Sequence, residues 1–572
     1  MLLNRRQLLG TGLGAAAVAT AGRFTVATAA VQRDNPADAQ VFTRLDQFIE
    51  PYMRELKSPG MTLVLADRDG LGRLAAYGFG DMERGRAVRT DELFQIGSIS
   101  KSFLALCLLQ LHDAGKLDLH KPITDYLPWF KVESRFSPIT AHHLLTHTSG
   151  LPGNADVFLS DPGDRHRTAY APGEHFHYNN MAFTLLGHLA WTLDGRELPE
   201  VIRKRLLDPL GMTQTEPAIT LDMRERTVKN YCAFQNDRPD TPGSRLCEAP
   251  GLIETSGAGC IASTARDMGA YIRMIANRGV GPNGRLVSKQ SFELFSQPHI
   301  AAEEFGPTAH YGYGIAVDRL DGHTVVRHTG GMVSFMSAIL VDIDQGVGAF
   351  ASINAMQDYR PTPVVQFAAQ LMRAARLRKS VAAVPIPQRT QGTEAVASYA
   401  GVYEDAAGRK LVIGSEGGKL WLEHGTEHLL MEPTTEPDRF LVAHPEFAHF
   451  PLVFARKSDR DPRSPVTEAS WGGDWYAGST YEGPRKFSHP PKWDSYVGHY
   501  RNESPWVGSM RVVVRKGQLW LDGVIPLEAV EDRFYLRDEE HSPEWIQFGE
   551  AVNARCMLLK FSGVDLWRVA AA

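Results

Sequence analysis

The stretch FQIGSISKSF, from Phe94 to Phe103, sets a hydroxyl and an amine three residues apart, at Ser98 and Lys101. Phe103, Leu104, Cys107, Leu108 and Leu111 follow at helical spacing, so a helix starts close to Ser98 and carries both side chains on one face. A serine hydroxyl is a poor nucleophile near pH 7. A lysine amine held away from water has a lowered pKa, and in its neutral form it can take the hydroxyl proton as attack occurs. The first-turn amides and the positive end of the helix dipole would stabilise an oxyanion there. A plain helix cap beside a solvated lysine has the same spacing, so these residues alone decide nothing.

Two further stretches narrow the choice. APGEHFHYNNMAFTLLGHL puts Tyr178 and Asn180 just ahead of an apolar helix, and VVRHTGGMVSFMSAILVDI puts His328, Thr329 and Gly330 on a strand edge. With Ser98 and Lys101, these elements come in an order and at gaps that resemble the penicillin-recognising serine hydrolases. The similarity is greatest to the branch holding class C β-lactamases, D-aminopeptidases and related esterases. The resemblance spans Val41 to Arg378 and includes GKLDLHKPITDYLPWF, ITAHHLLTHTSGLPG, LLDPLGMTQTEP and AGCIASTARDM.

The resemblance implies a β-lactamase-like domain of α/β (α+β) class, an antiparallel sheet flanked by helices, working without a cofactor. It implies Ser98 as the acylated nucleophile, Lys101 and Tyr178 as a shared proton relay, and Asn180 as a donor to the substrate amide. His328 and Gly330 would line the opposite strand, and the backbone N–H groups of Ser98 and Gly331 would form the oxyanion hole. One residue departs from the pattern. β-Lactamases and cell-wall carboxypeptidases carry lysine where this chain has His328, and an imidazole is mostly neutral at pH 7. That argues for peptidase or esterase branches over a true β-lactamase.

No metal is expected. His143 and His147 stand four apart in HHLLTH, but a zincin would need glutamate where Leu144 stands, so these histidines read as capping and packing residues near the turn at Gly150. The five cysteines are scattered, without CxxC spacing. Cys232 and Cys247 are the pair close enough for a loop staple, and the expectation is against a disulfide there.

The rest of the chain must position these groups. At 572 residues it exceeds a single core and is multidomain. Lys plus Arg (61) nearly balance Asp plus Glu (66), with no basic cluster, so nucleic acid is not an expected partner. MLLNRRQLLGTGLGAAAVATAG resembles a twin-arginine export signal over residues 1–29, with Arg5 and Arg6 as its basic pair and Ala27-Thr28-Ala29 as a cleavage site. The expected location is periplasmic or secreted, with no membrane attachment after cleavage.

The catalytic domain is expected over 41–378. MTLVLADRDGLGRLAAYGFGD reads as a hairpin and SKSFLALCLLQLHDAGKL as a helix ending at Gly115. Residues 379–394 read as a linker. Beyond it a loose repeat begins: SYAGVYED is echoed by SYVGHYRN, GGKLWLE by KGQLWLD, and DRFLV by DRFYL. Two small, lipocalin-like antiparallel β-barrels are expected over 395–490 and 491–572, one fused barrel being the alternative. Trp421, Trp520 and Trp567 read as barrel-core residues.

The function expected is an exported serine hydrolase forming a Ser98 acyl-enzyme on a small-molecule or peptide substrate. The architecture resembles the D-aminopeptidases, in which a barrel loop limits access to the site, so peptides with D-residues are favoured. A carboxylesterase with the same residues is the alternative. A β-lactamase, a DD-peptidase or an inactive binding protein ranks lower, and a homodimer is left open.

Overall fold

Leu63, Val64, Leu65 and Ala66 are apolar in succession within MTLVLAD, a pattern that suits a strand buried on both faces. In the computed structural model this is β1 (Gly60–Asp67), and every one of its residues is buried. The structure describes residues 26–569 apart from 33–35, 160–164, 235–236, 240–243, 357–360, 381–382, 386–395, 435, 459–460, 505 and 538–540. Arg5 and Arg6 lie outside the described residues, as does much of the expected linker.

The expected hairpin forms: β1 pairs antiparallel with β2 (Leu71–Asp81). These strands belong to a ten-stranded antiparallel sheet. From β1 it continues through β6 (Val347–Ile353), β5 (Phe335–Asp342), β4 (His323–Met332) and β3 (Ala316–Leu320), and Val26–Gln32 pairs with β2 on the outer edge. Alternation divides β1 between two cores. Met61, Leu63 and Leu65 pack with Phe48 of α1 (Pro36–Glu55) and Phe367 of α5 (Thr362–Leu377). Val64 and Ala66 face the larger core, which holds Phe103 of α2 (Ser100–Asp113), Phe183 of α3 (Asn180–Asp194) and Met268 of α4 (Ala265–Ala276).

A single backbone turn, Gly97–Ile99, leads into α2 and rests on β4. Gly97 has φ +53°, in the region that favours glycine. A Cβ on Gly330 of β4 would stand 1.9 Å from Ile96 O, and one on Gly97 would stand 2.9 Å from Gly331 N. The approach is therefore open only to glycine, and it brings the start of α2 against the Gly330-Gly331 edge.

The C-terminal repeat folds as two separate closed barrels of eight antiparallel strands each, within 401–478 and 498–568. Tyr403↔Gly478 pairing closes the first and Tyr500↔Arg568 the second. The echoed S-Y-x-G-x-Y motif has a structural basis in both copies: Tyr403 Oη donates to Tyr399 O (2.8 Å), and Tyr500 Oη to Tyr496 O (2.7 Å). The tryptophans do not fill the barrels as expected. Successive strand residues alternate faces, and Leu420 and Leu422 take the inward positions that flank Trp421, as Leu519 and Leu521 do around Trp520. Trp567 is 54% exposed.

One buried carboxylate ties the second barrel to the catalytic domain. Glu544 Oε1 accepts from Gly153 N (2.6 Å), from Asn154 N (3.3 Å) and from His177 Nε2 (3.3 Å), while Ser562 Oγ donates to Oε2. A second contact pairs Asp237 with Arg511 at 2.9 Å.

Gly330→Ala is expected to destabilise the protein by about 1–3 kcal/mol and to displace β4 from the Gly97 turn, because the new methyl meets a backbone oxygen that cannot swing aside. Gly72→Ala, whose nearest contact would be an ordinary 3.5 Å, is the control. Equal urea midpoints for the two variants would refute the steric account. Glu544→Ala is expected to cost about 1–3 kcal/mol by stranding buried donors, with partial recovery in Glu544→Gln. A Glu544→Ala midpoint matching wild type would show that the carboxylate does not hold the barrel.

Candidate active site

Ser98 sits half-buried in the turn that Gly97 begins, one turn ahead of Lys101 on α2. Lys101 is fully buried. Its Nζ donates to Ser98 Oγ (3.0 Å), Asn180 Oδ1 (2.8 Å) and Ala258 O (2.8 Å). Burial pulls the amine down to about 7, against the opposing pull of the Glu254 carboxylate. An amine that titrates near neutrality beside a hydroxyl can accept that hydroxyl's proton. The spacing of Ser98 and Lys101 thus has the geometry that nucleophile activation requires, and the solvated-lysine alternative is excluded.

The Y-x-N segment meets the same amine. Asn180, the first residue of α3, points its carbonyl oxygen at Lys101. Tyr178 presents its ring, the lysine nitrogen lying 4.9 Å from the centroid. Two residues that were not singled out for the site hold this segment in place. Asn179 caps α3 by accepting from Ala182 N (2.6 Å) and donates to Leu151 O (2.8 Å). His147 packs on Tyr178 in a tilted arrangement, ring centroids 4.5 Å apart, and its Nδ1 accepts from Asn179 N at 2.9 Å. Burial, with the lysine charge beside it, holds His147 well below the usual histidine range. It packs as expected, and His143 closes a capping box with Thr140. Asn179 carries a signal in the sequence, since asparagine ahead of an apolar run is a favoured cap.

His328 is not part of the cleft lining. It is 2% exposed, with Nδ1 2.6 Å from Thr329 O and Nε2 2.8 Å from Tyr311 Oη. A carbonyl only accepts, so Nδ1 carries a proton, and in the neutral ring Nε2 accepts from the tyrosine. Its ring therefore braces Tyr311, a buried tyrosine that also packs on His147.

The cleft above Ser98 encloses about 340 Å³. Of the expected residues, Ser98, Asn180 and Gly331 line it, while Lys101, Tyr178, His328 and Gly330 are not part of its lining. Asn154, Asp156 and Glu254 add polar surface, and Trp506 and Val507 come from the second barrel. Burial raises the Asp156 carboxyl above its ordinary range. Among the described residues no lysine or arginine lines this cleft. A larger cleft of about 880 Å³ lies elsewhere, along Arg86, Arg224 and Lys229. Its cations are engaged with acids, Arg86 with Glu92 at 2.8 Å and Lys229 with Glu248 at 3.0 Å, and Ser98 lines only the smaller of these two clefts.

Comparison with known proteins agrees with this geometry. The family model described as Beta-lactamase matches residues 45–371. Esterase EstB of Burkholderia gladioli is 28% identical over 321 residues, covering 49% of this chain and 80% of its own. Penicillin-binding protein 4 of Amycolatopsis lactamdurans is 29% identical over 302 residues, covering 49% and 77%. The octameric penicillin-binding protein homologue from Pyrococcus abyssi shares the fold, with a TM-score of 0.53 at 23% identity over 76% of this chain and 99% of its own. With the family model covering most of the catalytic domain, the chain belongs to the Beta-lactamase family and is a serine hydrolase.

Proposed function

We propose that the protein hydrolyses amides of short peptides with a free amino terminus, D-residues included, through an acyl-enzyme on Ser98. The observation that carries the chemistry is the buried Lys101 amine 3.0 Å from Ser98 Oγ. Neutral Lys101 takes the Ser98 proton as the hydroxyl attacks the carbonyl carbon. The developing oxyanion is held by the N–H groups of Ser98 and Gly331. The proton then passes, with Tyr178 sharing the relay, to the leaving amine, and water releases the acyl group by the reverse sequence. Asn180 serves the substrate amide as a donor, while its carbonyl keeps Lys101 in place.

Charge supports the choice of substrate. Asp156 and Glu254 line the cleft and, among the described residues, no lysine or arginine does, a field that favours an ammonium group and opposes the carboxylate of a β-lactam. Trp506 and Val507 narrow the same cleft from the barrel side, as expected of a loop that limits access. A carboxylesterase using the same residues is the second reading, supported by the likeness to Esterase EstB. The Arg5-Arg6 pair supports export as part of the proposal.

The test compares kcat/KM for L- and D-alanyl p-nitroanilides, free or N-acetylated, with p-nitrophenyl acetate and nitrocefin. The free amines are expected to exceed their acetylated forms by about tenfold or more, roughly 1.4 kcal/mol of charge recognition, and Asp156→Asn with Glu254→Gln should erase that preference. Equal rates on free and acetylated amides, with the ester far ahead, would replace the aminopeptidase reading by the esterase one. Ser98→Ala should abolish all of these activities.

The pH profile is best read on the ester, which carries no amine of its own. Because the neutral form of Lys101 is the base, kcat/KM should fall as pH drops through about 7 and level off above it. Lys101→Arg should be inactive at every pH, since guanidinium keeps its proton. A flat profile between pH 5 and 9 in the wild-type enzyme would remove Lys101 as the base.

A further inference from the structure

Two thiols face each other well away from the cleft. The strands Tyr231–Ala233 and Leu246–Glu248 pair antiparallel with Cys232 opposite Cys247, and the two Sγ atoms are 3.9 Å apart. The backbone fixes which kind of pair this is. Phe234 N donates to Arg245 O (2.8 Å) and Ala249 N to Asn230 O (2.9 Å), and hydrogen-bonded pairs recur every second residue, so Cys232 and Cys247 are also a hydrogen-bonded pair. Such pairs hold their Cα atoms about 5.5 Å apart, inside the range that disulfides occupy. Rotation of the side chains therefore brings the sulfurs into bonding distance without moving the strands.

Access separates this pair from the other cysteines. Cys107, Cys260 and Cys556 are buried, whereas Cys232 and Cys247 are half-exposed. Burial raises the Cys107 and Cys260 thiols, which keeps both out of thiolate chemistry at neutral pH.

We propose that Cys232 and Cys247 are an oxidation site, closing to a cross-strand disulfide in the presence of a low-molecular-weight disulfide such as oxidised glutathione. The thiolate of one cysteine attacks the oxidant's S–S bond, forming a mixed disulfide and releasing one glutathione thiol. The second thiolate then displaces the other glutathione. Two electrons and the two thiol protons pass to the two glutathione molecules, and one S–S bond joins the strands. The segment enclosed carries Asp237, which meets Arg511 of the second barrel at 2.9 Å, and Arg238, which lies 3.3 Å from His449 of the first. Closure thus restrains a segment in contact with both barrels. Neither thiol lines the cleft, so the outcome is independent of the Ser98 reading.

The full-length protein is incubated with oxidised glutathione without denaturant, then unfolded and alkylated for intact mass and peptide mapping. The reduced chain, with five cysteines, should take five alkyl groups, and the oxidised chain three, with the Cys232 and Cys247 peptides joined. Cys232→Ser and Cys247→Ser should each retain one glutathione on the remaining thiol, because the resolving partner is gone. Five alkyl groups after oxidation, or a wild-type protein that stops as a glutathione adduct, would overturn the proposal.

Discussion

The burial of one amine governs the catalytic domain. Lys101 Nζ has three partners, Ser98 Oγ, Asn180 Oδ1 and Ala258 O, which come from three separate parts of the chain. A buried ammonium without partners would be costly, whereas a neutral amine with these partners is not. The fold resolves the conflict by lowering the pKa, which is the state that catalysis needs. The same three contacts require α2, α3 and the segment around Ala258 to converge, so the packing of the large core and the reactivity of Ser98 depend on one another. The glycine contact at Gly97 and Gly330 is the second half of this constraint. It brings the Gly330-Gly331 backbone against the turn that carries Ser98.

Around that centre the structure supports polar groups with polar groups. His147 accepts from Asn179 N, Asn179 donates to Leu151 O, and Leu151 begins the segment whose Gly153 N donates to Glu544. These contacts, joined through the backbone from Leu151 to Gly153, link the residues beside Tyr178 to the second barrel. A barrel held in this way places Trp506 on the cleft wall while its own core, built on Leu519, Leu521 and Leu566, remains closed and independent. The barrel meets the catalytic domain beside the cleft through Trp506 and Val507 and through Glu544.

What was legible in the sequence follows from how local each signal is. Ser98 and Lys101 are one helical turn apart, and Asn180 stands two residues after Tyr178 at the start of an apolar helix, so local spacing together with the family resemblance exposes all three, while capping preference marks Asn179. The two barrels were visible because their closing motif repeats, and each copy uses its tyrosine in the same hydrogen bond. Ala258 O left no trace, since a backbone carbonyl has no residue signature. Glu544 meets Gly153 from 391 residues away, a distance no periodicity can bridge. The tryptophans misled because size was read ahead of alternation. In Leu-Trp-Leu the two leucines already claim the inside of a strand, which leaves the ring for the outer face.

His328 occupies the position where the resemblance leads one to expect lysine, and its contacts differ accordingly. A lysine there would carry a fixed charge toward a substrate carboxylate. The imidazole instead engages Thr329 O and Tyr311 Oη, and it is not part of the cleft lining. With that charge gone, the nearest fixed charges facing the cleft are the carboxylates Asp156 and Glu254. Of the two, Glu254 also acts on Lys101, partly offsetting the desolvation of the amine. A substrate ammonium drawn to these acids would weaken that offset as it binds, and so lower the lysine pKa further at the moment the neutral base is required. Under the proposed reading, recognition of the ammonium group and activation of the base would share the Glu254 carboxylate.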